Sequence, residues 1–583
     1  APRWLARAGE RAERTLALLT AADRYEAAAA LLDAEDVDPL LRSPTERGWL
    51  LHGVARARRY INPRQGLAVL EKVARLTVCA DDAALSAATL RLRALLHCYI
   101  GEVREGLPEM EAAAAAVRAL TPADRERLAE RLGQTGFGAG DGYGTYVSWL
   151  AFMGRNAEAQ ARGERLVRDL YAPGHDAGDA IAYAGLAEVY ASVGLPDRAR
   201  QAFESYRAAN IAIGDYAQVH AAWGHEAMFV HLPYFADQRG ERERLERETE
   251  QARTVAHGTI LYPPRYMLQS LLFVEGAWDE IEAITRAVRE AGVATMIHQG
   301  WACVLGPLAR ARGNTERAAS IVRGVLPAGP ATEPGELKFL DVLPVLLLAS
   351  ALALDSGDLP TARRWLETYD RWIAWSGTVI GRAEGALGWC AYHRAAGEIA
   401  RADEDAARAH TQATAPRQPL ALLAAHRSLG ELAAHAGRYA DADAHLIAAL
   451  ALADACGAPY ERALTLLAFA DLRNATGDRD GAMAALDAAR AICAALGATP
   501  VLARAEALAA PLRVAPSARP DGLTAREMDV LREIASGKSN KQIALALSIS
   551  LSTVERHVSN LYAKIGAQNK ADAAAYAYRH RLA

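Results

Sequence analysis

The chain has 583 residues, of which 51 % are hydrophobic and 7 % aromatic, and its formal net charge is −4. That length excludes a single core, and the mildly acidic balance excludes a chain that grips nucleic acid along its whole length. Ala and Leu dominate while β-branched runs are scarce, which favours helix throughout.

The opening residues, APRWLARAGERAERTL, are charged where a secretory leader is apolar. There is no initiator Met, which fits either trimming ahead of Ala1 or a longer parent chain. The longest apolar run, residues 342–354, contains Pro344 and is too short to cross a bilayer. Cys79, Cys98, Cys303, Cys390, Cys456 and Cys493 are scattered singly with no Cys-x-x-Cys pair. The expectation is a soluble, reduced, cytoplasmic protein with no membrane partner, no metal site and no cofactor.

Residues 1–510 carry an internal beat. A Gly is followed five residues later by a small residue and nine later by a large apolar one. Gly357-Ala362-Leu366, Gly437-Ala442-Leu446 and Gly477-Ala482-Leu486 are clear copies, and Gly397 with Ala402 keeps time, so four glycines are spaced by 40 residues. Gly194-Ala199-Phe203 and Gly313-Ala318-Val322 are earlier copies, with weaker ones at Gly101, Gly154 and Gly276. The pattern predicts helical hairpins: the Gly ends one helix, the small residue admits the second, and the apolar residue fills the gap. In LAEVYASVGLPDRARQAFES, the residues Leu186, Ala187, Tyr190, Ala199 and Phe203 fall at tetratricopeptide spacing. The segment resembles tetratricopeptide repeats, in the 40-residue variety of MalT-like regulators. The resemblance implies a superhelix with a concave inner wall.

Two stretches break the beat. Residues 133–144, GQTGFGAGDGYG, lack the Lys and Ser/Thr of a phosphate-cradling loop and follow no strand, so they do not read as a nucleotide site. Residues 215–301 are rich in aromatics and histidine. His220, Trp223, His225, Tyr262, Tyr266, His298 and Trp301 are either core filling or the lining of a ligand pocket, since aromatic walls with a few polar tips suit both. Histidines at i, i+5 and i, i+6 share no helix face, which argues against a metal.

Residues 511–522, PLRVAPSARPDG, hold three prolines and predict a semi-rigid linker. Four short helices follow over residues 523–583. Thr524 with Glu527 and Ser539 with Gln542 are capping boxes, Ser550 or Ser552 with Glu555 opens a third helix, and Asn569 with Asp572 a fourth. Gly537 and Gly566 stand where helices end. Only Ser548-Ile549-Ser550 joins the second and third helices, which is helix-turn-helix spacing. On the third, Val554, Val558, Leu561 and Ile565 form one apolar stripe. Ser552, Arg556, Ser559, Asn560 and Ala563 lie opposite. Residues 523–583 carry nine Lys/Arg against five Asp/Glu, or +4, which leaves −8 on residues 1–522. Only the tail suits a phosphate backbone.

These residues resemble the LuxR-type (GerE-like) DNA-binding domain. Leu523, Thr524, Arg526, Glu527, Val530 and Leu531 match its first block, and Gly537, Ser539, Asn540, Lys541, Ile543 and Ala544 its second. Thr553, Val554, His557, Asn560, Lys564, Ile565, Gly566 and Asn569 match the rest. The resemblance implies double-stranded DNA as partner, met by Ser539, Asn540, Lys541, Ser552, Thr553, Glu555, Arg556, His557, Ser559, Asn560 and Lys564. It implies a homodimer contact on the fourth helix, through Lys570, Ala573, Ala574, Tyr576 and Ala577. Glu555 departs from the family, which carries Lys or Arg there. A carboxylate repels phosphate unless it pairs with Arg556, accepts from a cytosine amine or closes a capping box with Ser552.

No enzyme pattern is present. The one Gly-Lys-Ser, Gly537-Lys538-Ser539, has Arg532 where a Walker A loop needs Gly, and no His-Glu-x-x-His or Gly-x-Ser-x-Gly occurs. The expected architecture is all-α: a tetratricopeptide-like superhelix over 1–510, the linker 511–522 and a four-helix helix-turn-helix domain over 523–583. The expected function is a transcription regulator whose superhelix senses a small molecule, peptide or partner protein. One alternative is an interaction scaffold with a vestigial tail, favoured by Glu555 and the acidic body. Another is the ATPase-less part of a larger regulator, because big LuxR-type regulators often carry a nucleotide-binding module ahead of such repeats.

Overall fold

The computed structural model describes residues 2–14, 17–32, 43–59, 62–132, 142–170, 181–213, 216–255, 265–290, 296–513, 520–580 and 582. Among these residues helices are the only regular elements, and the chain divides into two compact units, 1–505 and 506–583.

In the first unit, one 40-residue beat is one antiparallel helical hairpin. The copy Pro419–His435 with Tyr439–Ala455 shows why. Pro419 starts the first helix, where its fixed φ fits and its missing N–H is not needed. Gly437, at φ +74°, ends the turn in the left-handed region that only glycine enters freely. The Gly437 and Arg438 amides then donate to the Ala434 and Ala433 carbonyls. Ala442 and Leu446 are fully buried against the first helix. A Cβ at Gly430 would lie 2.7 Å from Leu446 Cγ, so the helices approach as closely as they do only because position 430 is bare. The equivalent small residues Ala199, Ala318, Ala362, Ala402 and Ala482 are also fully buried.

The first helix of a hairpin packs on the first helix of the next. Phe339–Asp355 meets Arg382–Ala395, which meets Pro419–His435, which meets Pro459–Ala475. This stacking of like helices is the tetratricopeptide-like arrangement, and it gives each apolar face a neighbour to cover it. Leu186, Ala187, Tyr190, Ala199 and Phe203, the residues at tetratricopeptide spacing, all fall in one buried cluster.

The array is not only a nearest-neighbour stack. Four turns from its middle are seated on residues far along the chain. The Gly154 turn rests on Phe339, the Gly194 turn on Val379 and Pro416, the Gly276 turn on Leu496 and Pro459, and the Gly313 turn on Thr499 and Pro500. Hydrogen bonds reinforce the seating. Thr378 Oγ1 and the Val379 amide both donate to the Ser192 carbonyl, and Thr499 Oγ1 donates to the Arg312 carbonyl. By contrast, a Cβ at Gly357, Gly397, Gly437 or Gly477 would meet nothing within 4 Å. The turns of the four 40-residue copies are bare at that point, whereas the four middle turns are docked.

The helix Thr499–Arg513 runs past Pro511, so the first three residues of the expected linker are helical. A proline in a final turn removes one donor without stopping the helix. The next described element is a 3-10 turn, Pro520–Gly522. Residues 133–141 of the glycine-rich loop lie outside the described residues. Cys98, Cys303, Cys390, Cys456 and Cys493 are free thiols. Among the described residues no helix is long and apolar enough to cross a membrane, and no group of three His, Cys, Asp or Glu is placed to hold a metal ion.

Candidate nucleic-acid interface

Among the described residues after Gly522, the second unit has four helices, Ala525–Ala535, Asn540–Ala546, Leu551–Ile565 and Lys570–Arg579. Both capping boxes are present. Thr524 Oγ1 accepts from the Glu527 amide while Glu527 Oε2 accepts from the Thr524 amide, and Ser539 and Gln542 repeat this. The third helix starts at Ser550, whose hydroxyl accepts from the Thr553 amide. Ser552 is therefore not a cap, and Glu555 closes no box. Asn569 Oδ1 caps the fourth helix through the Asp572 amide.

The turn between the second and third helices is held from outside. Ser548 adopts φ +51°, and Arg526 donates a 2.6 Å hydrogen bond to the Leu547 carbonyl at the end of the second helix. Arg526 thus fixes the angle at which the third helix leaves. Val554, Val558 and Leu561 bury one side of that helix in a core with Leu531, Ile534 and Ile543. Ser552, Glu555, Arg556, Ser559 and Asn560 are exposed on the other side, with Thr553 and His557 half-buried at its edges. Arg556 and Lys541 are exposed cations, and neither has an ion-pair partner among the described residues. Glu555 is likewise exposed and unpaired, so it does not neutralise Arg556.

Other expected contacts sit differently. Ser539 is spent on its capping box, and Asn540, beside it, is half-buried. Lys564 turns inward, donating to Glu527 Oε2 at 2.7 Å and to the Gly522 carbonyl at 3.2 Å. Burial raises the Glu527 carboxyl, but the Lys564 bond and the Thr524 cap outweigh it and hold the group below its usual range.

The expected dimer surface needs correction. Ala573, Tyr576 and Ala577 are buried in the unit's own core, where the fourth helix packs on the first. Tyr576 also donates to Asp521 and stacks on His580. Lys570 is tied to the Lys538 carbonyl and Ala574 is half-buried. An Ala-rich helix offers two similar faces, and the one assigned to a partner is the one that faces home. The exposed face carries Ala571, Ala575 and Tyr578.

Residues 521–577 match the family model described as bacterial regulatory proteins, luxR family. The C-terminal unit is a luxR-type helix-turn-helix DNA-binding domain. Over 60 residues, 10 % of this chain, it is 57 % identical to the uncharacterized transcriptional regulatory protein YhcZ of Bacillus subtilis (strain 168), covering 28 % of that protein. Over the same length it is 47 % identical to the response regulator protein VraR of Staphylococcus aureus (strain Mu3 / ATCC 700698), covering 29 % of it. The chain thus spans under a third of the curated relatives it matches. Among solved structures, one described as the crystal structure of the APC/C hetero-tetramer Cut9-Hcn1 is similar at TM-score 0.44 and 12 % identity, covering 88 % of this chain and 95 % of that one.

Of the residues expected to line a ligand pocket, Trp223 and His225 are described to the side chain, and they lie in different surroundings. Trp223 is core, packed with Val219, Ala227, Leu245, Leu268 and Leu271. Tyr262 lies outside the described residues, as do the side chains of His220, Tyr266, His298 and Trp301. His225 lines a pocket that is partly open to solvent. Its other polar walls are Glu188, Lys338 and Asp341, none of which the sequence reading singled out. The signal was available: Glu188 is the one charge in the helix Ile181–Ser192, and Asp341 stands alone in the first turn of the apolar helix Phe339–Asp355.

Proposed function

We propose that the protein is a DNA-binding transcription regulator, not an enzyme, acting in the cytoplasm as a homodimer on double-stranded DNA. In this reading the helical-repeat unit senses an effector and controls when the luxR-type domain engages its site. The observation that carries it is the third helix of that domain. One side is locked into the core by Val554, Val558 and Leu561, and the other presents Arg556, Ser559 and Asn560 with nothing of their own unit over them. A helix supported on one face and bare on the other is suited to a major groove.

The proposed DNA contacts are Lys541, Ser552, Thr553, Arg556, His557, Ser559 and Asn560, with Glu555 reading a base edge and not a phosphate. Ser539, Asn540 and Lys564 position these residues from behind. The proposed dimer contact moves to Ala571, Ala575 and Tyr578. A mobility-shift titration of the full chain on genomic fragments, run at several salt concentrations, tests the reading. The expected result is a sequence-dependent shift that weakens as salt rises. Equal and negligible affinity for all fragments at low ionic strength would favour the interaction scaffold that Glu555 and the acidic body also suit.

A further inference from the structure

The pocket at His225 is assembled from four separated stretches of the first unit. Phe152 ends one helix, Glu188 lies inside a second, His225 and Phe229 come from a third segment, and Lys338 and Asp341 open a fourth. The third segment is not regular. Residues Ala227–His231 form a π-helical turn immediately after His225, and Phe229 of that turn faces the pocket. Such turns disrupt the helical ladder and recur where a helix is shaped around a ligand.

Glu188 is the decisive group. It is 3 % exposed, and while His225 Nδ1 stands 3.1 Å from its Oε1, its Oε2 has no hydrogen-bond partner. A buried carboxylate is ordinarily satisfied several times over, so an oxygen left unpartnered at a pocket wall suits a further donor. Asp341, 8 % exposed, is a second carboxylate on the same pocket. Burial raises both carboxyls. Lys338 sets its ammonium 4.9 Å from the centre of the Phe152 ring, and its charge offsets part of the effect of burial on both carboxyls. The rings of Phe152 and Phe229 stand edge-on to His225, so the wall around Glu188 is aromatic. Carboxylates at the base and aromatic faces at the side form a receptor for a positively charged N–H donor. Metal ions are a poor fit, since no three ligating residues converge among those described.

We propose that this pocket is an effector site for a small organic ammonium ion, its N–H groups donating to Glu188 and Asp341. The proposal rests on the sensing role proposed above and gives the effector a chemical class and a place. A ligand here would tie the π-turn to the start of the helix Phe339–Asp355 and so brace the middle of the array against its later repeats.

The test uses the full chain with n-propylamine and 1,4-diaminobutane as probes, and with tetramethylammonium and propionate as controls. The two amines are expected to raise the thermal midpoint and to give saturable calorimetric binding. Tetramethylammonium, which has no N–H, and propionate are expected to do neither. Glu188→Gln is expected to lose at least tenfold in amine affinity. Should that variant unfold, Lys338→Met, which removes the competing cation and keeps both carboxylates, is expected to bind amines several-fold more tightly. The site is overturned if no amine binds the wild-type chain, if propionate binds in place of the amines, or if Glu188→Gln binds as well as wild type. DNA binding separates the two readings. Amine binding that leaves DNA affinity unchanged supports the site and sinks the sensing role. A different effector that alters DNA affinity, with no amine bound, sinks the site and keeps the role.

Discussion

Asn156 donates a 2.9 Å hydrogen bond to Ser376 Oγ across 220 residues of sequence, and both residues are buried. This bond joins the start of a middle helix, just behind the docked Gly154 turn, to the end of a later one. Asn156→Ala leaves the Ser376 hydroxyl without its donor, and the expected loss is about 1–3 kcal/mol in global stability. Ser376→Ala in the same background is expected to add little, because the partner is already gone. A double-mutant cycle by urea unfolding checks this, and full additivity of the two losses would contradict it.

Lys564 and Glu527 make the equivalent internal bond of the luxR-type domain. Lys564→Met is expected to weaken the domain by about 1 kcal/mol, since the lysine is a third exposed and screened by salt. The folded Glu527 carboxyl titrates below its unfolded value, so its contribution is full above about pH 4.5 and disappears as pH falls through the folded value. Amide hydrogen exchange in the helix Ala525–Ala535 across that range measures it, and Lys564→Met is expected to flatten the dependence.

On the bare face of the third helix, Arg556→Ala is expected to reduce specific DNA affinity by about 1–3 kcal/mol if it pairs with a guanine. Lys541→Ala is expected to weaken all sequences alike and to reduce the salt slope by about one. Glu555→Lys removes a repulsive charge and adds a phosphate contact. It is expected to raise non-specific affinity and steepen the salt slope while lowering affinity for the specific site, and an unchanged specific affinity would show that Glu555 reads no base.

The fourth helix makes opposite predictions for its two faces. Tyr578→Ala and Ala575→Arg are expected to weaken dimer formation on DNA while leaving the melting midpoint almost unchanged, because both positions are exposed. Ala573→Arg is expected to unfold the domain, since that residue has no exposed surface. Analytical ultracentrifugation with and without DNA, beside thermal melts, distinguishes these outcomes.

In the later repeats, His426 and His445 meet through their Nδ1 atoms at 2.9 Å, with the His410 ring 4.7 Å from that of His426. One Nδ1 must donate and the other accept, so the pair is incompatible with two protons. Burial, then the neighbouring His410 and His445, push the folded His426 down to about 4. Burial and His410 also lower His445, against the opposing pull of Asp441 and Asp403. The unfolded chain therefore takes up more protons between about pH 6.5 and pH 4. Stability is expected to hold above that window and to fall within it as pH drops. Urea midpoints against pH test this, with a shallower fall expected for His426→Asn.

The hairpins and caps were legible because they are local. A glycine at φ +74° and a hydroxyl bonded three residues along are properties of short windows, and the 40-residue beat needed only to be counted. The docked turns were not legible. Pro416 and Val379 carry no mark that says Gly194 will lie against them. The two faces of the fourth helix were confused because alanine looks the same whether it faces core or solvent. The pocket was missed for another reason. The aromatic and histidine-rich stretch drew attention to itself, while Glu188 sat alone in one apolar helix and Asp341 alone in the first turn of another.

Those docked turns have a mechanical consequence. A pile of hairpins touching only their neighbours can fray from either end, one unit at a time. Here the middle is lashed to later repeats at four places, two of them at the far end of the array, so neither part can peel away without freeing the other. Pulling on this chain, or heating it, is expected to release residues 150–500 in one large step where a simple spring would give a staircase.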